Sequence, residues 1–125
     1  MKIKHLALAS IIGLTGAFNA LPAHAGTDVA APVYINTSTG VVTGAMGYAR
    51  HTSDSLQFIG CYSTGYSASC QARNTDGTLV TCYTNDTNHL EAIKSIGDDS
   101  RIYFRYEGGS CTNVYVYNYS YWRSR

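Results

Sequence analysis

Residues 101–121 read RIYFRYEGGSCTNVYVYNYSY, and their reading decides the fold. Aromatic and β-branched residues in period-two alternation, interrupted by Gly and Ser, signal strand, turn and strand. Arg101 to Glu107 and Cys111 to Tyr121 form the two strands, with Gly108-Gly109-Ser110 as a three-residue loop. In this register Phe104 faces Val114 and Ile102 faces Val116. On the other face Tyr103 meets Tyr115 and Arg101 meets Tyr117. A one-residue slip would mix the two faces, so the match of apolar with apolar supports the register. Cys111 conflicts with it, because it falls on the tyrosine face. A bulge near the loop would turn Cys111 inward; a cover over the tyrosine face would also accommodate it.

Upstream the pattern stays β. Leu56 to Ser63, Ser67 to Asn74 and Thr78 to Tyr83 are strand candidates, and Asn74-Thr75-Asp76-Gly77 is a turn. Val41 to Arg50 reads as a further strand whose Gly44 and Gly47 need a bulge or a close neighbour. Val33 to Ile35 is a short one. A single segment breaks the pattern. Asn88 and Glu91 fit a loose capping box, and Leu90, Ile93 and Ile96 share a helical face. A short helix over 88–95 follows, ending before Gly97. About six strands, one helix and no repeat predict a mostly β fold. It is a small antiparallel sheet, sandwich-like or barrel-like.

The four cysteines are Cys61, Cys70, Cys82 and Cys111. Spacings of 9, 12 and 29 residues contain no C-x-x-C, so a structural zinc site is disfavoured, and no metal or other cofactor is expected. An even count in an exported chain reads as two disulfides, with three possible pairings. A two-residue turn at Gly65-Tyr66 sets Cys61 opposite Cys70, which favours Cys61–Cys70 with Cys82–Cys111. A loop at Thr75-Asp76-Gly77 sets Cys70 opposite Cys82 instead. The two registers compete for Cys70.

Export is read from the other end of the chain. Residues 1–5 are basic, Leu6 to Phe18 carry no charge, and Ala23-His24-Ala25 is a small-x-small cleavage site. A membrane span needs roughly 20 apolar residues to cross about 30 Å, so thirteen are too few. Residues 1–25 are thus expected to be a cleaved signal peptide of bacterial style, 26–40 a loose lead-in, and 41–125 the stapled β domain. The product would be secreted or periplasmic, with no membrane span after cleavage. Seven cations and eight anions remain beyond residue 25, a formal net charge of −1. No basic stripe is left for nucleic acid.

All eleven tyrosines lie beyond residue 25. Tyr115, Tyr117, Tyr119 and Tyr121 recur at every second residue, with Trp122 next and Tyr103 across the hairpin. On one strand face such rings stand about 7 Å apart. They offer flat apolar surfaces with polar tips, suited to a glycan, an envelope component or a protein partner. Packing is the competing reading, since aromatics are good strand formers. Residues 114–122, VYVYNYSYW, are also free of charge, Pro and Gly, so an exposed edge there would favour self-association. His51 and His89 stand beside no catalytic or ligand pattern. The sequence contains no H-E-x-x-H, G-x-S-x-G or phosphate loop. The expectation is a non-enzymatic binding or surface protein. The alternative is an inhibitor of a hydrolase presenting the loop Ser63 to Ser67.

Overall fold

A computed structural model describes residues 28–123. The expected signal peptide, residues 26–27 and residues 124–125 lie outside them. The chain forms seven strands: β1 (Tyr34–Asn36), β2 (Val41–Ala45), β3 (Phe58–Ser63), β4 (Ala68–Arg73), β5 (Leu79–Thr84), β6 (Arg101–Glu107) and β7 (Ser110–Tyr117). Two helices accompany them, α1 (Met46–Arg50) and α2 (Thr87–Lys94). All seven strands lie in one sheet ordered β1-β2-β6-β7-β5-β4-β3. Helix α1 touches both β2 and β3, which are far apart in that order. The sheet therefore curls around the helices, giving an inner face that they cover and an outer face.

The fold is mostly β with two disulfides, as the sequence predicts. Each of the seven strand candidates has its counterpart, and the structure adds a second helix and two parallel contacts, β5 with β7 and Val29 with Trp122. The β6–β7 register is the expected one from Arg101↔Tyr117 through Phe104↔Val114. It then shifts between Arg105 and Tyr106, and Tyr106 pairs with Cys111. A bulge thus resolves the Cys111 conflict, leaving Thr112 as the extra residue and turning Cys111 into the core. The loop shortens to Gly108-Gly109, with Glu107 opposite Ser110 and Gly108 at φ +62°.

The inner face carries the core. Val42, Ile102 and Phe104 are fully buried beside Cys70 and Cys82, and Val114 is nearly so. Burying each large side chain contributes roughly 1.5–3 kcal/mol. Helix α2 adds Leu90 and Ile93, two of the three residues whose spacing predicts a buried face; Ile96 lies beyond the helix and is half-buried. Its start differs from the expected one. Asp86, not Asn88, is the cap: its carboxylate accepts from the Asn88 N–H at 2.8 Å and the His89 N–H at 3.2 Å. Such a cap contributes about 1 kcal/mol. Glu91 pairs forward with Lys94 at 3.1 Å instead of closing a box.

Helix α1 replaces the second half of an expected strand. The partner strand β6 begins at Arg101, opposite Ala45, so residues beyond Ala45 have no ladder to join. The Met46 N–H donates to the Ser100 carbonyl at 2.9 Å and the chain turns into a helix. Gly44 has the close neighbour its sequence position requires. A Cβ there would stand 3.0 Å from the Val33 Cα.

Two findings concern the lead-in and the seam of the sheet. Residues 28–40 are not loose: β1 pairs with β2, and Ala31 and Val33 are buried. Strands β3, β4 and β5 form one zipped unit, and β1, β2, β6 and β7 another. They meet in parallel at a single register position, Tyr83 opposite Ser110, where the Tyr83 N–H donates to the Gly109 carbonyl at 2.9 Å. Both competing cysteine registers exist, because β4 pairs on both sides: Cys61↔Cys70 with β3 and Cys70↔Cys82 with β5. The bonds are Cys61–Cys70 and Cys82–Cys111. The second spans the seam. The two bonds use all four cysteines.

Candidate functional site

Residues directly opposite one another in a sheet share a face. Thr43 pairs with both Tyr34 and Tyr103, and Tyr103 pairs with Tyr115. Tyr34, Tyr103 and Tyr115 therefore form one row across the outer face, with Thr43 between the first two. The Tyr103 and Tyr115 ring centroids are 5.4 Å apart and tilted by 36°. The next row is Ala45, Arg101 and Tyr117. The opposite side chains of the same strands complete the core, so these rings are surplus to it. Tyr115 is 50% exposed, Tyr117 39% and Tyr119 55%.

The expected alternation to Tyr121 stops at Tyr117. Asn118 explains the stop. Its side chain accepts from the Ser100 hydroxyl and donates to the Ser95 carbonyl at 3.2 Å, tying this point to the loop after α2. The chain then folds back over the outer face. Tyr119 and Tyr121 stack with centroids 5.1 Å apart, closer than two residues of a strand would hold them. Trp122 follows at 4.6 Å from Tyr121. It is 91% buried against Ala31 and Ala45 in a small second core.

The lead-in fixes this tail. Val29 bridges Trp122 in parallel, with the Val29 N–H donating to Tyr121 and the Arg123 N–H donating to Val29, both at 2.7 Å. Asp28 and Arg123 close the contact at 3.0 Å. The outcome is a groove of about 500 Å³ on the outer face. Thr43, Arg101, Tyr117, Tyr119, Tyr121 and Trp122 line it. Of the six aromatic residues read from the sequence, Tyr103, Tyr117, Tyr119, Tyr121 and Trp122 line the groove, and Tyr115 stands beside Tyr103. Trp122 departs from the expected role, because it is packed beneath the groove rather than offered to solvent.

Two members are absent from the sequence expectation. Tyr34 joins the face only through the β1–β2 pairing, which a three-residue strand barely signals. The hairpin register places Arg101 opposite Tyr117 and nothing in the sequence points to its role. Its guanidinium carbon lies 4.8 Å from the Trp122 ring centroid, and its Nε donates to the Thr43 hydroxyl at 3.0 Å. A cation over the indole face is attracted by the ring quadrupole, worth about 0.5–2 kcal/mol.

The rest of the outer face is also aromatic. Tyr62 and Tyr83 flank Ser69 across β3, β4 and β5, both well exposed. Strand β7 pairs with β6 along its length but meets β5 only at Ser110, so residues 114–117 have a strand neighbour on one side alone. The edges are β1 and β3. At the β3–β4 turn Gly65 takes φ +100° and Tyr66 is 87% exposed. The histidines have local partners: the His51 ring meets the Gly47 carbonyl, and the His89 ring the Thr84 hydroxyl, each at 2.8 Å. Among the described residues no three His, Cys, Asp or Glu side chains gather as a metal site would need. Among the described residues, no helix is long and apolar enough to cross a membrane.

No family model matches the chain, and no curated protein or solved structure matches it either.

Proposed function

We propose that this protein is a small exported binding module without enzymatic activity, and that the tyrosine-rich outer face is its binding surface. One observation carries the reading. Tyr115, Tyr117 and Tyr119 are exposed and clustered, while the inner face supplies a core without them. A contiguous exposed aromatic patch on a small domain marks an interaction site. Two disulfides and the basic–apolar–small leader support an oxidising compartment outside the cytoplasm. The expected ligand class is a glycan, an envelope component or a protein. A glycan array and an envelope pull-down with residues 26–125 test the reading. Retention that is lost when Tyr115, Tyr117 and Tyr119 become Ser supports it. No retention on either sinks it.

The second reading is inhibition of a hydrolase. The observation in its favour is Tyr66, held at the tip of a two-residue turn four residues before Cys70 of the Cys61–Cys70 bond. Such a rigid protruding ring suits an enzyme cleft. A panel of proteases and muramidases decides it: inhibition should vanish with Tyr66→Ser, and inhibition that survives disulfide reduction would count against it.

A further inference from the structure

The groove holds one guanidinium and no carboxylate. All eight Asp and Glu side chains of the chain are among the described residues. Asp28, Glu91 and Asp99 pair with Arg123, Lys94 and Arg50, and none of the eight lies within ion-pair distance of Arg101. Arg101 uses its Nε on Thr43, and its two terminal nitrogens meet no protein acceptor among the described residues. Beneath it the Trp122 Nε1–H is buried with no acceptor at all. A buried donor left so costs about 1–3 kcal/mol, which the fold sustains at this one tryptophan. Around Arg101 stand the rings of Tyr117, Tyr119 and Tyr121.

We propose that this groove takes a carboxylate-bearing sugar ring of an acidic polysaccharide, with the carboxylate forked on the terminal nitrogens of Arg101. The proposal rests on the outer face being the binding surface, and narrows its ligand. Three features select this chemistry. A guanidinium and a carboxylate match in a planar two-bond fork, stronger than a neutral pair. The tyrosine rings offer flat apolar faces to the C–H side of a sugar and hydroxyl tips to its rim. The groove's volume, about 500 Å³, falls within the range of small-ligand sites. The groove holds a single cation, which matches one carboxylate.

The test is calorimetry of residues 26–125 with oligomers of polygalacturonate, alginate and hyaluronan, each as free acid and as its carboxyl methyl ester. Esterification changes the ligand alone, so the comparison survives any variant that fails to fold. At least one free acid should bind ten-fold or more tighter than its ester. Arg101→Gln should erase that ratio by weakening the acid form. Arg101→Lys, which keeps the charge and loses the fork, should restore it only in part. Equal binding of acid and ester overturns the carboxylate assignment while leaving the aromatic binding surface standing. Binding of none of the three, with retention of neutral glycans on the array, does the same. Preference for a peptide with a free C-terminal carboxylate over its amide, with no sugar acid bound, overturns the sugar assignment. An empty array together with an empty pull-down removes the parent reading as well.

Discussion

Removing the Cys82–Cys111 bond should weaken this fold more than removing Cys61–Cys70, and in a different place. Cys61–Cys70 closes a separation of 9 residues and Cys82–Cys111 one of 29. Loop-closure entropy then assigns about 2.6 kcal/mol to the first bond and about 3.6 kcal/mol to the second at 25 °C. The structure widens the gap. Cys61 and Cys70 face each other inside a hairpin already zipped over six register pairs. Cys82 and Cys111 join two sheet halves that otherwise meet at one register position. Both of their side chains are also buried. Double Cys→Ala variants, unfolded in urea, read the difference. With an m-value of about 1.3 kcal/mol per M, the midpoint falls by about 2 M without Cys61–Cys70 and about 2.8 M without Cys82–Cys111. Amide exchange locates the damage. The Tyr83 N–H, bonded to Gly109 across the seam, should lose its protection only in the Cys82/Cys111 variant. If the Cys61/Cys70 variant is the weaker, or if Tyr83 exchanges alike in both, the seam account is refuted.

Three smaller predictions follow from other places. Gly40 sits at φ +75°, where a Cβ would be driven into the Tyr106 carbonyl, so Gly40→Ala should cost about 2–4 kcal/mol in urea unfolding. Gly60→Ala is its control: nothing stands within 4 Å of a Cβ there, and the change should be neutral or stabilising by up to about 1 kcal/mol. Trp122→Ala should cost about 3–5 kcal/mol and flatten the near-ultraviolet dichroism, because the ring seals the second core. Asp54 accepts from the Gln57 side chain at 2.7 Å and from the Leu56 and Gln57 N–H groups, which hold its carboxyl below the ordinary value of 3.8. Since the folded value is the lower one, what this turn adds is present above pH 3.8 and lost as pH falls through the folded value. Carbon-13 titration of the Asp54 carboxyl, with amide exchange at Leu56 and Gln57, checks it; a midpoint at or above 3.8 would contradict it.

Much of the fold is written locally. The β6–β7 register is legible because Ile102, Phe104, Val114 and Val116 alternate against Arg101, Tyr103, Tyr115 and Tyr117. The disulfide pairing is half legible: the Gly65-Tyr66 turn favours the observed Cys61–Cys70 bond, but Cys82 also stands opposite Cys70, so register alone does not choose. Even the bulge is foreshadowed by the misplaced Cys111. What the sequence hides depends on remote partners. Nothing near Tyr83 announces a parallel neighbour at Ser110. The tyrosine alternation runs through Asn118 unbroken, and the hydrogen bonds that stop the strand come from Ser95 and Ser100. The fold-back of Trp122 depends on Val29 and Ala31 at the far end of the chain. Of the groove's aromatic residues the sequence therefore indicates membership, but not arrangement. Arg101 shows its face in the register and its importance only once Trp122 is seen beneath it.

The central claim is that the outer-face tyrosines are there to bind rather than to pack. The most direct test is one triple variant, Tyr115/Tyr117/Tyr119→Ser, measured for both stability and retention of the glycans or envelope components that the unaltered chain holds. Exposed substitutions of this kind cost little, so the variant should lose no more than about 2 kcal/mol in urea unfolding and keep its native dichroism. It should also lose all retention. A variant that unfolds outright, or one that folds and still binds, would contradict the account.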